Sequence, residues 1–329
     1  MFRPRRAAVM TASPGPRAAS EPGLSWVAQG YATRVSVIYR VGMDHHQALG
    51  EYLRARREQI QPEDVGLIGG GRRRVPGLRR EELAMLAGIS ADYYLRLEQG
   101  RHQTPSPQVL DALAAVLFLD ADSTAYLHSL ATASSVKNRL PVRRTERVPA
   151  GTLQLLDALP MPAFIHDRRL TVLAANSFAS ALSTNYRPGV NLLRAIFLDD
   201  DERELHRDWA RATVEAVAGV RAAAGSRFDD DELTALIGEL SIRSEAFRRL
   251  WARHDVHRRT GGVSLLEHPD VGPLELRHEK LTIAGTDGQT LVAYHAEVGS
   301  ASAQALELLG SIAASRTRDR AVETTHLEP

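Results

Sequence analysis

The stretch EELAMLAGISADYYLRLEQGR, Glu81–Arg101, decides how the first half of the chain folds. It begins as a helix, meets Gly88, and begins a second helix directly after Ser90. Glycine adopts the left-handed backbone conformation that ends a helix, and a serine side chain caps the next helix by accepting a hydrogen bond from a free N–H group. The stretch therefore predicts two helices joined at a fixed corner, with the second helix held out from the body.

Helical periodicity surrounds this corner from Leu49 to about Ala131. Ala84 is small at the point where the two helices must cross closely. Their shared apolar seam is predicted to consist of Leu83, Ile89, Tyr94 and Leu97. These signals predict an all-α helix-turn-helix domain over residues 44–136.

The motif EELAMLAGIS…YYLRLEQGR resembles the helix-turn-helix of phage-repressor-type (Xre-like) regulators. In that family the pattern is Glu-Leu-Ala, three variable residues, Gly, a hydrophobic residue, Ser or Thr, and later Leu-Glu-x-Gly. The resemblance covers about residues 49–130, and it implies binding to the major groove of double-stranded DNA. An ordinary corner between two helices, with no role on DNA, is the alternative interpretation.

The resemblance assigns base-facing positions to residues of the second helix. These are Ala91, Asp92, Tyr93 and Arg96. Arg96 is expected to make a bidentate contact to guanine, and Asp92 to accept a hydrogen bond from the amino group of cytosine. Tyr93 is expected to touch the DNA backbone or a thymine methyl group.

A second group of residues is expected to bind phosphate. Ser90 and Arg80 match phosphate-holding positions of the family, with Arg80 in place of the usual glutamine. The loop GGGRRRVPGLRR, residues 69–80, concentrates arginine nearby, which fits a phosphate clamp but also an ordinary solvated loop. The predicted phosphate contacts are Arg72, Arg73, Arg74, Arg79, Arg80, Ser90 and Arg101.

Composition limits the remaining classes of function. The chain has 329 residues, a net charge of +1 and no cysteine. Affinity for DNA must therefore come from a local basic patch, and disulfides and thiolate metal sites are excluded. No apolar run approaches the roughly 20 residues that span a bilayer. We expect a cytoplasmic protein without a membrane segment.

Three segments lack a periodic pattern. Residues 1–43 are rich in Pro, Gly, Ala, Ser and Arg and are predicted to be a disordered arm, with Met43 as an alternative translation start. Residues 137–150 contain two prolines and a run of basic residues, which predicts a basic linker. Residues 313–329 are predicted to be a disordered tail.

Residues 151–312 have a different character. The stretch over residues 161–182 predicts a strand, a tight turn at Asp167–Arg168, a second strand and a helix from about Asn176. Helices are predicted over about 191–197, 200–223, 229–239 and 243–254, followed by three antiparallel strands and a last helix. This order predicts an α+β domain of the PAS-like type, with helices against one sheet.

A second resemblance covers about residues 155–310 and rests on four stretches: NLLRAIFLD, DWA, AGSRFDDDELTALIGELSIRSEAFRRLWARHDV and HPDVGPLELRHEKLTI. They resemble the ligand-binding domain of MmyB-like actinobacterial regulators. The resemblance implies a small apolar, fatty-acid-like ligand, and no other cofactor is expected.

Such a ligand needs an aliphatic tunnel and one or two polar groups for its head. The tunnel candidates are Phe164, Leu173, Leu193, Phe197, Trp209 and Trp251, each of which also fits a plain core. Arg253 and His254 fit a polar head site or a surface or interdomain salt bridge equally well. The predicted ligand contacts are Asn176, Trp209, Trp251, Arg253 and His254.

Chemistry beyond binding has little support in the sequence. His254 and His257 would share a face if they lay on a helix, with Asp255 between them, but no further metal ligand is placed. No Gly-x-Ser-x-Gly elbow exists, and no catalytic group of residues stands out. We therefore predict neither a metal site nor an enzyme.

Together these features predict a transcription regulator that binds double-stranded DNA as a homodimer, because one helix reads only a few base pairs. Ligand occupancy is expected to shift the second domain between two arrangements, with the basic linker transmitting the change. Two rival hypotheses remain. The second domain is a dimerisation or protein-interaction module without a ligand, or the chain is an enzyme with an accessory DNA-binding domain.

Overall fold

The computed structural model describes residues 45–67, 77–101, 104–132, 147–225, 230–257 and 259–325. The predicted arm over residues 1–43, most of the basic linker and the three arginines at positions 72–74 lie outside these ranges.

The first domain is all-α, as predicted. Its helices are α1 (His45–Gln59), α2 (Arg80–Leu86), α3 (Ala91–Glu98), α4 (Pro107–Val116) and α5 (Ala121–Thr132), with a 3₁₀ turn at Pro62–Val65. Apolar side chains at helical spacing pack into one core, in which Tyr52, Leu83, Tyr94 and Leu113 are fully buried.

The corner between α2 and α3 has the geometry that its sequence predicts. Gly88 has a left-handed φ of 67°, and its N–H donates to the carbonyl oxygen of Met85 at 3.2 Å. The hydroxyl of Ser90 accepts a hydrogen bond from the N–H of Tyr93 at 3.1 Å. Ala84 is buried in the seam. The cap, the glycine turn and the close crossing are confirmed.

The second domain is α+β, as predicted. Its strands are β1 (Ala163–His166), β2 (Val172–Ala175), β3 (Gly261–His268), β4 (Gly272–Thr282) and β5 (Thr290–His295). They form one antiparallel sheet in the order β2-β1-β5-β4-β3. Alternate residues of β4 are buried, so at this strand one face of the sheet packs on helices (below, the covered face) and the other is solvated. At β1 every residue is buried, because Leu156 packs on the second face there.

The helices of this domain precede, interrupt and follow the strands. They are α6 (Ala150–Ala158), α7 (Ser177–Leu182), α8 (Leu192–Leu198), α9 (Asp200–Leu205), α10 (Trp209–Ala224), α11 (Asp231–Arg243), α12 (Glu245–Ala252) and α13 (Ala301–Thr325). Side chains of α7, α9 and α13 pack on the covered face of the sheet, whereas α8, α10, α11 and α12 bury a second apolar cluster between them.

Two predicted elements need correction. The helix predicted over residues 200–223 is two helices, because His206 is extended and pairs with Leu266 of β3. Asp208 then caps α10 by accepting a hydrogen bond from the N–H of Arg211. The tight turn predicted at Asp167–Arg168 is longer, and is closed by the N–H of Asp167 donating to the carbonyl oxygen of Thr171.

Both ends of the second domain also differ from the predicted boundaries. Helix α6 begins at Ala150, the last residue of the predicted linker. Helix α13 continues to Thr325, into the segment predicted as a disordered tail. Residues 311–325 contain neither glycine nor proline, so nothing local ends the helix. None of the helices in the described ranges combines the length and apolar character needed to cross a membrane.

Candidate DNA-binding surface and ligand-binding domain

The residues predicted to face DNA bases lie on the outer side of α3. Ala91, Asp92 and Arg96 are exposed, and Tyr93 is half-buried against the domain core. Arg96 Nη2 lies 3.1 Å from Asp92 Oδ2, one helical turn away. An exposed pair of this kind contributes well below about 1 kcal/mol, so both side chains can exchange it for contacts to DNA.

The residues predicted to bind phosphate fall into two groups. Arg79, Ser90 and Arg101 are exposed around the ends of α2 and α3. The Ser90 hydroxyl already accepts from the backbone, which leaves its own hydrogen free to donate. Arg80 differs, because its Nε donates to Glu98 Oε2 at 2.6 Å. The predictions for Arg72, Arg73 and Arg74 lie outside the described residues.

The structural role of Glu98 was not predicted from the sequence. Its side chain is 2% exposed, and its second oxygen accepts from Arg57 Nε at 2.6 Å. Arg57 belongs to α1, Arg80 to α2 and Glu98 to α3, so one carboxylate joins three helices. The glutamate of the Leu-Glu-x-Gly motif was the available signal. Arg80 therefore has a structural role that the predicted phosphate contact did not include.

A row of four aromatic side chains runs through the helical part of the second domain. Ring centroids lie 6.1 Å apart between Trp209 and Phe197, 5.2 Å between Phe197 and Phe247, and 5.6 Å between Phe247 and Trp251. The last pair is stacked, with 14° between the planes. Phe197, Trp209 and Trp251 were predicted as tunnel candidates, whereas Phe247 was not. The four rings form a packed row (below, the aromatic row) rather than an open tunnel.

One end of the aromatic row opens to a cleft. Trp209, with Phe197, Arg203 and Ser244, lines a half-open cleft of about 280 Å³ between α8, α9 and α12. Arg203 lies over the Trp209 ring, 4.9 Å from its centroid. Trp209 Nε1 donates to the carbonyl oxygen of Ile196 at 2.8 Å. The cleft thus combines apolar side chains with the Arg203 guanidinium and two carboxylates, Asp199 and Asp200.

Asn176 lies elsewhere and is occupied by the backbone. Its Oδ1 accepts from the N–H groups of Ala179 at 2.9 Å and Ala163 at 3.1 Å. Its Nδ2 donates to the carbonyl oxygen of Met161 at 2.8 Å. Asn176 therefore caps α7 and fixes the start of β1. Both polar atoms of its side chain are hydrogen-bonded to the backbone, and the structure does not bring Asn176 together with Trp209 or Trp251.

Arg253 and His254 follow the end of α12 rather than lying on it. The Arg253 side chain is exposed and its Nε lies 2.9 Å from Asp255 Oδ2. His254 has a left-handed φ of 55°, and its Nδ1 lies 3.1 Å from Nη1 of Arg221. The sequence left open a polar head site or a salt bridge for Arg253, and the geometry matches a salt bridge.

The histidines of this segment do not converge. His257 Nδ1 lies 3.2 Å from Asp120 Oδ2, in the first domain, while His254 is directed at Arg221. The shared helix face expected for His254 and His257 does not form, because α12 ends at Ala252. Within the described ranges no group of three His, Cys, Asp or Glu side chains is arranged to hold a metal ion.

A polar group on the covered face of the sheet was also missed. The hydroxyls of Tyr186 and Tyr294 lie 3.3 Å apart, and Ser264 Oγ lies 3.2 Å from His278 Nδ1. Burial lowers the pKa of His278 to about 4. Alternation along β4 and β5 was the available sequence signal, since it places these side chains inward.

The fold and these surfaces define a helix-turn-helix domain joined to an α+β domain with an aromatic-lined cleft. Residues 48–127 match a family model described as a helix-turn-helix domain. Residues 148–309 match the family model described as the MmyB-like transcription regulator ligand binding domain. The protein is thus a DNA-binding transcription regulator with a ligand-binding domain. No curated protein matches the sequence.

Proposed function

We propose that this protein is a cytoplasmic, sequence-specific transcription regulator that binds double-stranded DNA as a homodimer and senses a small apolar ligand of the fatty-acid class. The observation that carries the DNA part is the exposed side of α3 with Asp92 and Arg96, held by a glycine corner and a serine cap. A rigidly presented helix with a guanidinium on its outer side suits base reading in the major groove.

The DNA part is tested on duplexes selected by the full chain from a random library. Arg96→Ala is expected to cost about 1–3 kcal/mol of binding at one base pair and to relax the preference there. Arg101→Ala is the matched control, because an exposed phosphate contact should weaken all duplexes alike. Equal losses on selected and random duplexes for both variants would contradict these roles.

The ligand part is supported by the family and by the cleft at Trp209. The apolar part of the cleft, with Arg203 beside Trp209, suits a hydrocarbon chain with an anionic head. Asp199 and Asp200 also line the cleft, so the head would have to lie on the Arg203 side. We place the ligand against Trp209, while Trp251 lies at the other end of the aromatic row.

Native mass spectrometry of the full chain purified from cells, before and after organic-solvent extraction, tests this part. We expect an added mass that leaves on extraction, rebinding of palmitate, and a dimer as the main species. Trp209→Ala should weaken palmitate binding, whereas Asn176, which is occupied by the backbone, should not be a direct contact.

A dimerisation or protein-interaction module without a ligand is the second candidate. Exposed Leu155 on α6 and Leu308 on α13 favour it, because apolar side chains on the surface suit a protein partner. A bare protein mass together with no binding of palmitate would support this candidate. It would leave the DNA part of the proposal unchanged.

A further inference from the structure

The two domains touch through a short segment that follows α12. We call Arg253–His257 the docking segment. Its Asp255 Oδ1 lies 3.1 Å from Arg56 Nη1 of α1, and the carbonyl oxygen of Arg253 accepts from Gln59 Nε2 at 2.7 Å. The carbonyl oxygen of Val256 accepts from the Ser123 hydroxyl of α5 at 3.4 Å. Both the backbone and the side chains of the docking segment thus contact the DNA-binding domain.

The docking segment also contributes to the core of the DNA-binding domain. Val256 is 2% exposed and packs in the same apolar cluster as Tyr52, Leu127 and Ala131. Ala222 of α10 belongs to that cluster too. A cluster shared by both domains moves as one unit, because close-packed side chains transmit displacement rather than absorb it.

Helix α1 connects the docking segment to the recognition helix α3. Arg56 contacts Asp255, and the next residue, Arg57, contacts Glu98 of α3 at 2.6 Å. The backbones also approach closely, since a Cβ placed on Gly50 would lie 2.4 Å from the carbonyl oxygen of Glu98. A shift of α1 should therefore displace α3.

On the other side, the docking segment is continuous with the aromatic row. Trp251 lies two residues before it, and the guanidinium of Arg221 lies 3.8 Å from the centroid of the Trp251 ring. Arg221 is 4% exposed and donates to the carbonyl oxygen of Trp251 at 2.5 Å. Its other terminal nitrogen meets His254 at 3.1 Å. Arg221 thus fastens the end of the row to the docking segment.

We propose that the docking segment is the link through which occupancy of the cleft at Trp209 changes the position of α3. This rests on the proposed function, and it replaces the basic linker as the route between the domains. A contiguous path exists: Trp209, the aromatic row, Arg221 and His254, the Asp255–Arg56 pair, α1, and Glu98 on α3. Coupling between separated sites is carried by such packed and ion-paired networks.

The test uses a charge exchange at the Arg56–Asp255 ion pair, which joins the docking segment to α1. In the full chain, Asp255→Arg places a third cation beside Arg56 and Arg253 and releases the segment. The variant carrying both Arg56→Asp and Asp255→Arg restores an opposite-charge pair with reversed polarity. It is the matched control, because it contains the same new arginine as the single variant.

The first readout is amide hydrogen exchange in α1 and α3 without any ligand or DNA. We expect exchange in residues 45–59 and 91–98 to rise about tenfold in D255R and to return close to the wild-type rate in the double variant. Unchanged exchange in D255R would overturn the link, whatever the ligand is. This readout does not depend on the proposed function.

The second readout is affinity for a selected duplex with and without saturating palmitate. We expect palmitate to change the wild-type affinity about fivefold or more, D255R to lose that response, and the double variant to regain it. A D255R protein that keeps the wild-type response would contradict the proposal. A wild-type protein that binds the duplex but not palmitate would instead contradict the proposed ligand, and the exchange result would still decide the link.

Discussion

At the scale of single residues, Glu98 and His254 are two buried titratable groups whose pKa values are shifted by neighbouring arginines. Burial alone would raise the pKa of the Glu98 carboxyl, but hydrogen bonds from Arg57 and Arg80 outweigh it and hold that pKa below its ordinary value. For His254, burial first and then the nearby Arg221 and Arg56 guanidinium groups lower the pKa of the imidazole well below 6.5.

Replacing Glu98 by Gln should destabilise the DNA-binding domain by about 3 kcal/mol, because it leaves the buried Arg57 guanidinium with only the more distant carboxylate of Glu58, at 3.7 Å. Urea denaturation measures the loss. Glu81→Gln, at an exposed position of α2, is the control and should change the unfolding free energy by less than about 0.5 kcal/mol.

The Glu98 effect should also depend on pH. Because the folded pKa is lowered, the contribution of Glu98 is fully present above the unfolded value of 4.5 and is lost as pH falls through the folded pKa. The difference between wild type and E98Q should therefore shrink below pH 4.5. A constant difference down to the acid transition would argue against the ion pair as its source.

For His254, the same reasoning gives a different pH window. Below pH 6.5 the imidazole of His254 is protonated in the unfolded chain but stays neutral in the folded protein. The stability that depends on neutral His254 is therefore present above pH 6.5 and is lost as pH falls. His254→Asn tolerates the left-handed backbone and removes the titration. Thermal melts should show a shallower fall for this variant, by up to about 1.4 kcal/mol per pH unit.

His278 is present in both proteins of that comparison. Its pKa, lowered to about 4 by burial, gives both the same acid dependence, so the difference isolates His254. Parallel stability curves for wild type and H254N between about pH 7.5 and 5.5 would show that His254 is not held neutral.

At the scale of elements, the position of α1 against α3 depends on the absence of a side chain at Gly50. A Cβ there would lie 2.4 Å from the carbonyl oxygen of Glu98 and 2.8 Å from that of Leu97. Both contacts are backbone atoms and cannot rotate away, so any larger residue must push the two helices apart.

Gly50→Ala should therefore cost about 2–3 kcal/mol of stability and weaken binding to a selected duplex, because α3 is displaced. Denaturation and duplex titration measure the two effects. Gly151→Ala in α6 is the matched control, since no atom lies within 4 Å of its new Cβ. It should raise stability by about 0.5–1 kcal/mol. A Gly50→Ala protein as stable as wild type would mean that the close approach is not tight.

Element prediction from the sequence succeeded where the signals are local. Gly88, Ser90 and the periodic leucines lie within one or two turns of the features that they determine. It failed over residues 200–223, where His206 leaves the helix to pair with Leu266. That pairing depends on a strand about 60 residues away in sequence, so local helix propensity could not report it.

At the scale of the whole molecule, the second domain completes the core of the first. Val256 and Ala222 are both 2% exposed within the cluster formed by the five helices of the first domain. An isolated DNA-binding domain would lack these two side chains and would expose apolar surface of the cluster that contains Tyr52 and Ala131.

A fragment of residues 44–136 should therefore be less stable than the same domain in the full chain, by about 2 kcal/mol for the loss of one buried valine contact. Hydrogen exchange in α1 and α5 compares the two directly. Val256→Ala in the full chain is the milder control and should lose about half as much. Equal protection in the fragment and the full chain would show that the docking segment adds no stability.

The candidate sites divide in the same way. The family resemblance assigned Asp92 and Arg96 to one side of the second helix, and both are exposed on α3. The sequence did not predict that Arg80 pairs with Glu98, or that the Asn176 side chain hydrogen-bonds to backbone groups. Partners of this kind are set by how elements pack, and one sequence does not contain that information.

By itself, the sequence determined the two domains, the glycine corner, the cap on α3 and the α+β order of the second domain. These follow from backbone conformation, capping and hydrophobic period, which act over a few residues. Only the tertiary structure decided the aromatic row, the cleft and the docking segment. The Arg56–Asp255 contact joins residues 199 positions apart, and such a contact forms only when the intervening elements have packed.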